Sequence, residues 1–276
     1  MKTKKTVNQK LKRIFLSLML PAAMTASVTC YAQGDAGIPP HQVRVASYNI
    51  QHGMGMDNQL NYKRIAEVLR AISPDVVAVQ EVDSMTQRTN NTYALGEIAE
   101  QLNYHASYAP AIDFEGGKYG IGILSRERPI SVRQYALPGT EEARTLLVAE
   151  FDDFVFAATH LSLTEADRMA SIGIIEEAAK KSGKPFVVAG DLNAQPDSPF
   201  IRQFEEKFQI CSGKQKSWPA DKPTECLDYI AAYKRKSAGK SGKGGAQQPA
   251  VTLFSDVLNT QASDHRPIVA ELVLPR

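Results

Sequence analysis

The sequence predicts an α/β (α+β) four-layer sandwich, in which two packed mixed β-sheets are flanked by helices. Three observations support this fold class. Apolar runs of strand length, such as Val76–Val79 and Phe186–Ala189, alternate with segments of helical periodicity. Several strands follow one another without a helix between them, which is typical of sheets that are not purely parallel. The chain has 276 residues, 43% of them hydrophobic, which favours one large domain over several small ones.

The chain begins with a segment that has the composition of a secretory signal peptide. Basic residues precede an apolar stretch that runs from Ile14 to about Val28, and the small residue Ala32 follows shortly after it. This order is that of a signal peptide with its cleavage site. We therefore expect cleavage after Ala32 and a secreted or periplasmic protein.

Two alternatives to a cleaved signal peptide are open. A transmembrane anchor would need a longer apolar stretch than this one, which Pro21 also interrupts. A lipoprotein signal ending at Cys30 is less expected, because Thr29 stands where a smaller Ala or Gly is usual.

The predicted organisation is a signal peptide over 1–32, a linker rich in Gly and Pro over 33–42, and one large folded domain over 43–276. Residues 1–32 hold six of the 32 basic residues and none of the 30 acidic residues, so the remainder has a net charge of −4. The remainder therefore lacks the overall basic character of a dedicated nucleic-acid binder.

Two cysteines remain after the predicted cleavage, Cys211 and Cys226. In an exported protein we expect them to form a disulfide, which on the chain-entropy model contributes about 3 kcal/mol for a loop of this length. Two buried free thiols are the alternative. The spacing of cysteines and histidines does not indicate a zinc site.

The first half of the domain alternates strands and helices. Residues Tyr62, Ile65, Ala66, Leu69 and Ile72 recur at helical spacing. They predict a helix from about Asn61 that ends before Ser73-Pro74, because a residue before proline is disfavoured in the helical conformation. The other elements predicted here are the strand Val43–Asn49, the strand Val76–Val79, a helix around Tyr93–Leu102, and strands near Ile121–Leu124, Thr145–Phe151 and Phe154–Thr159.

The second half continues the alternation. Met169, Ile172, Ile175 and Ala179 form one apolar face and predict an amphipathic helix from about Thr164 to Lys181. The remaining predicted elements are the strand Phe186–Ala189, a short helix near Ser198–Phe208, the strand Leu227–Ala232 and a last strand Ile268–Val273.

Residues Lys234–Gln248 are rich in Lys, Gly and Ser and offer almost nothing to bury. We predict a flexible exposed loop. The basic residues within Lys234–Lys243 could contact phosphates or the anionic surface of a membrane, but a solvated loop is the favoured account of them. The sequence predicts no obligate protein partner.

A carboxylate and an amide stand two residues apart at the end of the apolar run Phe186–Ala189. If strand geometry continues, Asp191 and Asn193 point to the same side, because strand residues alternate between faces. Gly190 allows the backbone to turn there. A buried strand with an ordinary polar turn is the alternative for this stretch taken alone.

Polar residues recur at the ends of the other predicted strands. If the loops of one sandwich edge hold them all, they meet at a single site, and their carboxylate and amide oxygens suit a hard cation such as Mg²⁺, with Mn²⁺ as a possible substitute. The histidines and Arg144 would then face an anionic group. The residues concerned are Asn49, Glu81, His160, Asp191 and Asn193 after strands, Asp228 within one, and Asp264-His265 before the last.

Six short motifs stand in a fixed order along the predicted domain. They are Ser47-Tyr48-Asn49-Ile50, Gln80-Glu81, Tyr119-Gly120-Ile121-Gly122-Ile123-Leu124-Ser125-Arg126, Thr159-His160-Leu161, Gly190-Asp191-Leu192-Asn193-Ala194 and Ser263-Asp264-His265-Arg266-Pro267. Each motif is weak alone, but their shared order from about Val43 to Val273 is specific. Together they resemble the endonuclease/exonuclease/phosphatase superfamily, which includes deoxyribonuclease I, apurinic endonucleases, neutral sphingomyelinases and inositol polyphosphate phosphatases. The resemblance implies a deoxyribonuclease I-like sandwich.

The resemblance also implies a ligand set for the metal and the groups that activate water. Glu81 would be the principal metal ligand, with Asn49 beside it and Asp264 nearby. Asp191 would position or deprotonate the attacking water, while Asn193 orients that water or binds the phosphate.

The histidines and Arg144 receive phosphate-contacting roles from the same resemblance. His265 would contact the phosphoryl group, with its tautomer held by Asp228. His160 and Arg144 would stabilise the negative oxygens.

The sequence departs from the pattern of apurinic endonucleases at Gln51, two residues after Asn49, where those enzymes have a second acidic residue. It also lacks an aromatic or strongly basic insertion of the kind that grips a duplex. Both departures argue against a role in DNA repair. From the motifs as a whole we expect a metal-dependent phosphoric ester hydrolase, most specifically a phosphodiesterase. A nuclease, a phospholipid or inositol-phosphate headgroup hydrolase, and a non-catalytic anion-binding module are the alternatives.

Overall fold

The computed structural model describes residues 41–235 and 249–275. The described residues form twelve strands and four α-helices, which appear in chain order as β1 His41–Asn49, α1 Tyr62–Ile72, β2 Val76–Ser84, α2 Ala94–Leu102, β3 His105–Phe114, β4 Gly117–Ser125, β5 Ser131–Leu137, β6 Arg144–Glu150, β7 Val155–His160, α3 Glu165–Ser182, β8 Phe186–Asp191, α4 Pro199–Lys207, β9 Phe208–Ile210, β10 Asp228–Tyr233, β11 Val251–Val257 and β12 Ile268–Leu274.

The strands form two mixed sheets of six strands each. The first sheet has the order β11-β12-β1-β2-β4-β3, and the second has the order β5-β6-β7-β8-β10-β9. In each sheet one central pair is parallel, β1 with β2 and β7 with β8, and the other pairs are antiparallel. The predicted sandwich of mixed sheets is confirmed.

Alternation along the central strands builds a core on both faces of each sheet. In β8, Val187 belongs to the core between the two sheets and its neighbour Val188 to the core under α3 and α4. In β2, Ala78 faces the core between the sheets and Val77 the core under α1 and α2. Both faces of these strands are buried, so their sequences are continuously apolar. The four layers are therefore helices, sheet, sheet and helices.

The helix ends follow from local chemistry. The Asn61 side chain accepts a hydrogen bond from the Arg64 backbone N–H and caps α1, which ends with Ser73 in the left-handed conformation before Pro74. The Ser198 hydroxyl caps α4 in the same way, and Pro199 occupies the first helical position, where its missing N–H is not needed. Among the described residues, no helix combines the length and the apolar character needed to cross a membrane.

All predicted elements are present, with ends shifted by a few residues. β1 begins at His41, so residues 41 and 42, predicted as the end of the linker, pair with Leu274 and Val273 of β12 instead. The sequence reading missed four strands: β3, β5, β9 and β11. The predicted signal peptide lies outside the described residues, as do the rest of the linker and most of the Lys-rich loop (236–248).

The predicted disulfide between Cys211 and Cys226 is wrong. Both residues are buried free cysteines. Cys211 lies in the core between the two sheets, whereas Cys226 lies in the core between the second sheet and its helices. The second sheet separates the two thiols.

Candidate active site

The second sheet brings a histidine and two carboxylates to one edge. β7 and β8 run parallel and end together, with His160 opposite Asp191 in the register. β10 runs the other way and begins there, so Asp228 lies opposite Asp191 from the other side. Three residues that are distant in sequence are therefore neighbours on adjacent strands.

The first sheet contributes its residues at the same edge. β1 ends at Asn49 and lies next to Gln80 of the parallel strand β2. β12 is antiparallel to β1, so the Asp264-His265 loop that precedes β12 also lies at this edge. The Ser263 hydroxyl donates to the backbone carbonyl of Asn49 at 2.8 Å and ties this loop to the end of β1.

Glu81 occupies a β-bulge in β2. The pairing of β2 with β4 slips by one residue between Val79 and Val82, and Glu81 has a φ of 57°. A left-handed backbone is unfavourable for a residue with a side chain and is often retained at functional sites. The bulge directs the carboxylate to Asn49, whose Nδ2 donates to Glu81 Oε1 at 2.9 Å.

One carboxylate oxygen, Asp191 Oδ2, lies at the centre of the site. Asn49 Nδ2 donates to it at 3.2 Å. The Nε2 atoms of His160 and His265 lie 3.6 and 3.7 Å from it. Asp191, His160 and His265 are all buried, with 2, 7 and 5% of their surface exposed, so their charges are shielded little by solvent.

A second carboxylate, that of Asp228, contacts the other ring nitrogen of His265. His265 Nδ1 lies 3.0 Å from Asp228 Oδ2. An ionised carboxylate only accepts hydrogen bonds, so Nδ1 carries a proton and Nε2 is directed toward Asp191.

The two histidines differ in charge. Burial lowers the pKa of His160 to about 4 despite the nearby Asp191 carboxylate, so this imidazole is neutral at pH 7. Burial also acts to lower the pKa of His265, but Asp228, Asp191 and Asp264 together raise it to about 10. In the absence of a metal ion, His265 is therefore the cationic member of the pair.

Asn193 is oriented by a turn and not by a continued strand. β8 ends at Asp191, and Asn193 has a φ of 49°. Its backbone N–H donates to Asp191 Oδ1 at 2.9 Å. Its side-chain Nδ2 donates to the Leu161 carbonyl at 2.8 Å, so the amide group supports the segment that carries His160. The assumption of period-two geometry beyond Asp191 was wrong.

Arg144 lies at the same edge, at the start of β6, and is buried. Its guanidinium pairs with Glu141 at 3.2 Å and with Glu142 at 3.1 Å. Although burial opposes ionisation, hydrogen bonds from the Leu163 N–H, the Ser162 hydroxyl and Arg144 hold the pKa of Glu141 at about 2. Glu141 and Glu142 therefore offset the positive charge of Arg144, the residue expected from the sequence to bind the phosphate.

The model of the Endonuclease/Exonuclease/phosphatase family matches residues 46–265 of the chain. The chain belongs to this family. The matched region contains every residue that the sequence assigned to the site, and the members of the family are hydrolases. No curated protein matches the chain.

Solved structures share the fold at low sequence identity. An endonuclease/exonuclease/phosphatase from Beutenbergia cavernae is 22% identical with a TM-score of 0.66, over 84% of this chain and 72% of that one. A family protein from Bacteroides vulgatus is 18% identical with a TM-score of 0.69, over 85% and 99%. A mannosyl-6-phosphatase from Bacteroides thetaiotaomicron is 17% identical with a TM-score of 0.64, over 84% and 99%. These likenesses confirm the deoxyribonuclease I-like fold.

The structure brings the predicted site residues to one edge. Three of them have neighbours that the sequence did not indicate. Asn49 and Asn193 use their amide N–H groups on other protein groups, and Arg144 is neutralised. The catalytic and ligand roles of the residues remain predictions.

The site fits a divalent cation. Burial, together with the negative charges of Asp264 and Asp191, raises the pKa of Glu81 to about 7. Crowded carboxylates of this kind repel one another, and a cation between them relieves the repulsion. Asp191, Asp228 and His265 also bring one potential ligand atom each within 4.8 Å of one another. Glu81 and Asp264 bring further carboxylate oxygens to the same edge.

Sequence reasoning missed the residues that touch the site from irregular segments. Ser217 bonds to Asp228, and the Trp218 indole Nε1 lies 3.4 Å from Asp264 Oδ2. Neither residue follows the pattern used to find the others, which was a polar residue at the end of an apolar strand. The presence of a single tryptophan was the one available signal.

Proposed function

We propose that the protein is an exported, divalent-metal-dependent phosphoester hydrolase, most specifically a phosphodiesterase, that activates water for attack on a phosphate ester. Mg²⁺ is the proposed ion, with Mn²⁺ as a substitute. The arrangement around Asp191 Oδ2 supports the proposal best, because two imidazoles and one amide converge on a single buried carboxylate oxygen.

Each residue then has a distinct part. Asp191 holds the attacking water and accepts its proton. The imidazolium of His265 stabilises the phosphoryl oxygens as negative charge develops on them, and Asp228 keeps that ring oriented. His160 is neutral and provides a hydrogen bond without a charge.

Glu81 and Asp264 would hold the metal ion, with Asn49 beside them. When bound, the ion neutralises charge on the phosphate oxygens and lowers the pKa of a bound water. The chain itself supplies the shape of the site, because the bulge fixes Glu81 and the Ser263 hydroxyl fixes the loop that carries Asp264.

The charges around the site favour a small substrate over a nucleic acid. Three arginines on segments at this edge are already paired with carboxylates: Arg64 with Asp57 at 2.7 Å, Arg88 with Asp83 at 2.7 Å, and Arg144 with Glu141 and Glu142. A nucleic-acid strand is held largely by cations free to meet successive phosphates. A phospholipid or inositol-phosphate headgroup needs fewer of them.

A non-catalytic module that only binds an anion is the main alternative from another class. Such a module needs cations around the anion. The centre of this site instead holds Glu81, Asp191, Asp228 and Asp264, which would repel an anion unless a metal ion offset them. We therefore favour the hydrolase.

The test is hydrolysis of bis-p-nitrophenyl phosphate by the purified protein. We expect turnover with Mg²⁺ or Mn²⁺, loss of turnover with EDTA, and recovery when the ion is restored. Asp191→Asn provides the blank. Absence of turnover with every divalent ion tried would contradict the enzyme hypothesis.

The substrate class is tested with a panel of plasmid DNA, RNA, sphingomyelin, inositol phosphates and a GPI-like glycolipid. We expect a phospholipid or inositol-phosphate headgroup to give the highest kcat/KM. Preferential cleavage of DNA or RNA, absent from Asp191→Asn, would support the nuclease alternative instead.

We also propose that the protein is exported after removal of residues 1–32 and that Lys234–Lys243 contacts anionic surfaces. Mass spectrometry of the protein recovered from the periplasm or medium should give Gln33 as the first residue. Sedimentation with vesicles containing anionic lipid should decrease when these lysines are replaced by glutamine.

A further inference from the structure

A buried hydroxyl lies behind Asp228, in a segment that carries no regular secondary structure. The Ser217 Oγ donates to Asp228 Oδ2 at 2.5 Å, and the same oxygen lies 3.0 Å from His265 Nδ1. The hydroxyl, the carboxylate and the imidazole therefore form a chain of hydrogen bonds that ends 3.7 Å from Asp191 Oδ2.

This order of groups differs from that of a serine hydrolase. In such an enzyme the hydroxyl bonds to the imidazole and attacks the substrate. Here Ser217 bonds to the carboxylate and not to the ring, and none of its surface is exposed. Ser217 therefore acts through Asp228 and does not meet a substrate.

The orientation of the Asp228 carboxylate depends strongly on its hydrogen bond from Ser217. Asp228 is a buried residue, and its second oxygen, Oδ1, has no hydrogen-bond partner within the part of the chain that the structure describes. Without Ser217, the carboxylate would keep only His265 to hold its orientation. A buried carboxylate that has lost a hydrogen-bond donor tends to rotate toward another one, and this rotation would release the imidazole.

The backbone around Ser217 is tied to the loop that carries His265. The Arg266 N–H donates to the Ser217 carbonyl at 2.8 Å, and the Ala220 N–H donates to the Asp264 carbonyl at 2.7 Å. Ser217 and Trp218 are themselves paired with Glu225 by backbone hydrogen bonds of 2.8 and 3.1 Å. The hydroxyl is thus held at a fixed place relative to the ring it orients.

We propose that Ser217 is a positioning residue of the hydrolase: its hydroxyl fixes the Asp228 carboxylate, which in turn fixes the orientation of the His265 ring. The inference rests on the proposed function for its kinetic consequence. Its structural consequence, the order of the His265 ring, does not depend on turnover.

The test compares Ser217→Ala with a matched control in the same part of the chain. Ser212 is also buried, but its hydroxyl accepts from the Ile230 backbone N–H at 3.0 Å and, within the described residues, forms no hydrogen bond with a site residue. We expect Ser217→Ala to lower kcat about 10- to 100-fold with little change in KM. Ser212→Ala should retain kcat even if it lowers the Tm as much as Ser217→Ala does. Ser217→Thr, which keeps the hydroxyl, should recover most of the activity.

The second readout is the proton NMR signal of the His265 Nδ1–H in protein labelled with ¹⁵N-histidine, assigned by its absence in His265→Ala. This signal should be present in the wild type and in Ser212→Ala, and lost or broadened in Ser217→Ala. If Ser217→Ala does not fold, Ser217→Cys fills the same space with a weaker donor and serves instead.

Retention of both kcat and the NMR signal in Ser217→Ala, or equal losses in Ser217→Ala and Ser212→Ala, would overturn the proposal. If the wild type hydrolyses no phosphoester, the proposed function fails, and the NMR comparison still decides whether Ser217 orders His265.

Discussion

At the scale of single residues, the surroundings of each side chain decide its charge. His160 and His265 are both buried, and both approach the same Asp191 oxygen. His265 has a second carboxylate on its other nitrogen, and this contact makes it cationic where His160 is neutral. The sequence assigned phosphate contacts to both histidines, but a difference of this kind depends on the packing around each ring.

The first prediction follows from this difference between the histidines. Glutamine can replace the hydrogen bond of a neutral imidazole but not the charge of an imidazolium. We expect His265→Gln to lower kcat/KM for bis-p-nitrophenyl phosphate about 100- to 1000-fold at pH 7.5, and His160→Gln to lower it about 10-fold. Equal losses in the two variants would contradict the assignment of charge.

The second prediction concerns Glu81 in metal-free protein. Its pKa of about 7 lies above the ordinary value of 4.5, so the folded state holds the proton more tightly than the unfolded state. The free energy of unfolding therefore falls as pH rises from about 4.5 to 7. A glutamine side chain does not ionise, so Glu81→Gln should stabilise the protein by about 3 kcal/mol at pH 8 in EDTA.

Urea denaturation of wild type and Glu81→Gln at pH 5 and pH 8 measures this effect. At pH 5 the folded wild type is protonated at Glu81, and the two proteins should differ little. With Mg²⁺ at pH 8 the order should reverse, because only the wild type gains stability from the ion. If Glu81→Gln is no more stable than the wild type at pH 8 in EDTA, then ionisation of Glu81 does not lower the free energy of unfolding, and the prediction is wrong.

At the scale of elements, the strands that the sequence revealed are those in the interior of the sheets. The four strands that were missed, β3, β5, β9 and β11, are the four edge strands. Edge strands have one free side and are partly exposed. Of the residues in β5 only Leu137 is buried, whereas every residue of β8 is buried. A search for apolar runs therefore finds the interior strands and misses the edges.

The third prediction tests the close approach of two central strands. A Cβ on Gly190 of β8 would lie 2.0 Å from the Thr159 carbonyl of β7, so the register that sets His160 opposite Asp191 requires glycine there. We expect Gly190→Ala to destabilise the protein by about 2–3 kcal/mol and to lower kcat.

The control for Gly190→Ala is Gly173→Ala. Gly173 lies in α3, and a Cβ there would meet none of the described residues within 4 Å. This change should raise the stability by about 0.5–1 kcal/mol and leave kcat unchanged, because alanine is the better helix former. Thermal denaturation and kcat measured on both variants decide the matter, and full activity in Gly190→Ala would contradict the prediction.

At the scale of the whole molecule, the two sheets divide the interior into three cores. Residues that are near in sequence can therefore be far apart in packing. Cys211 and Cys226 illustrate this, since each lies against a different face of the second sheet. The sequence spacing alone was compatible with a disulfide, but the sheet between the residues prevents it.

The fourth prediction follows from this separation. Denatured protein without reductant should show free thiols at both Cys211 and Cys226 when alkylated and mapped by mass spectrometry, even after export to an oxidising compartment. Dithiothreitol should not change the Tm. Cys226→Ser should remove one alkylated site and leave Cys211 reactive after unfolding. A peptide pair linked between the two cysteines would contradict the structure.

The sequence by itself determined the interior strands, the helices and the types of residue at the active-site edge. These follow from local patterns, because a buried strand must be apolar and the polar groups at its end stand out against it. Asp191, His160 and His265 could therefore be found before the fold was known.

Only the tertiary structure decided how these residues are connected. The neutralisation of Arg144 by Glu141 and Glu142, the support of Asp228 by Ser217, and the separation of Cys211 from Cys226 all depend on packing. Such contacts are set by side-chain direction and burial within the folded chain, for which the spacing of residues along a sequence carries no consistent signal.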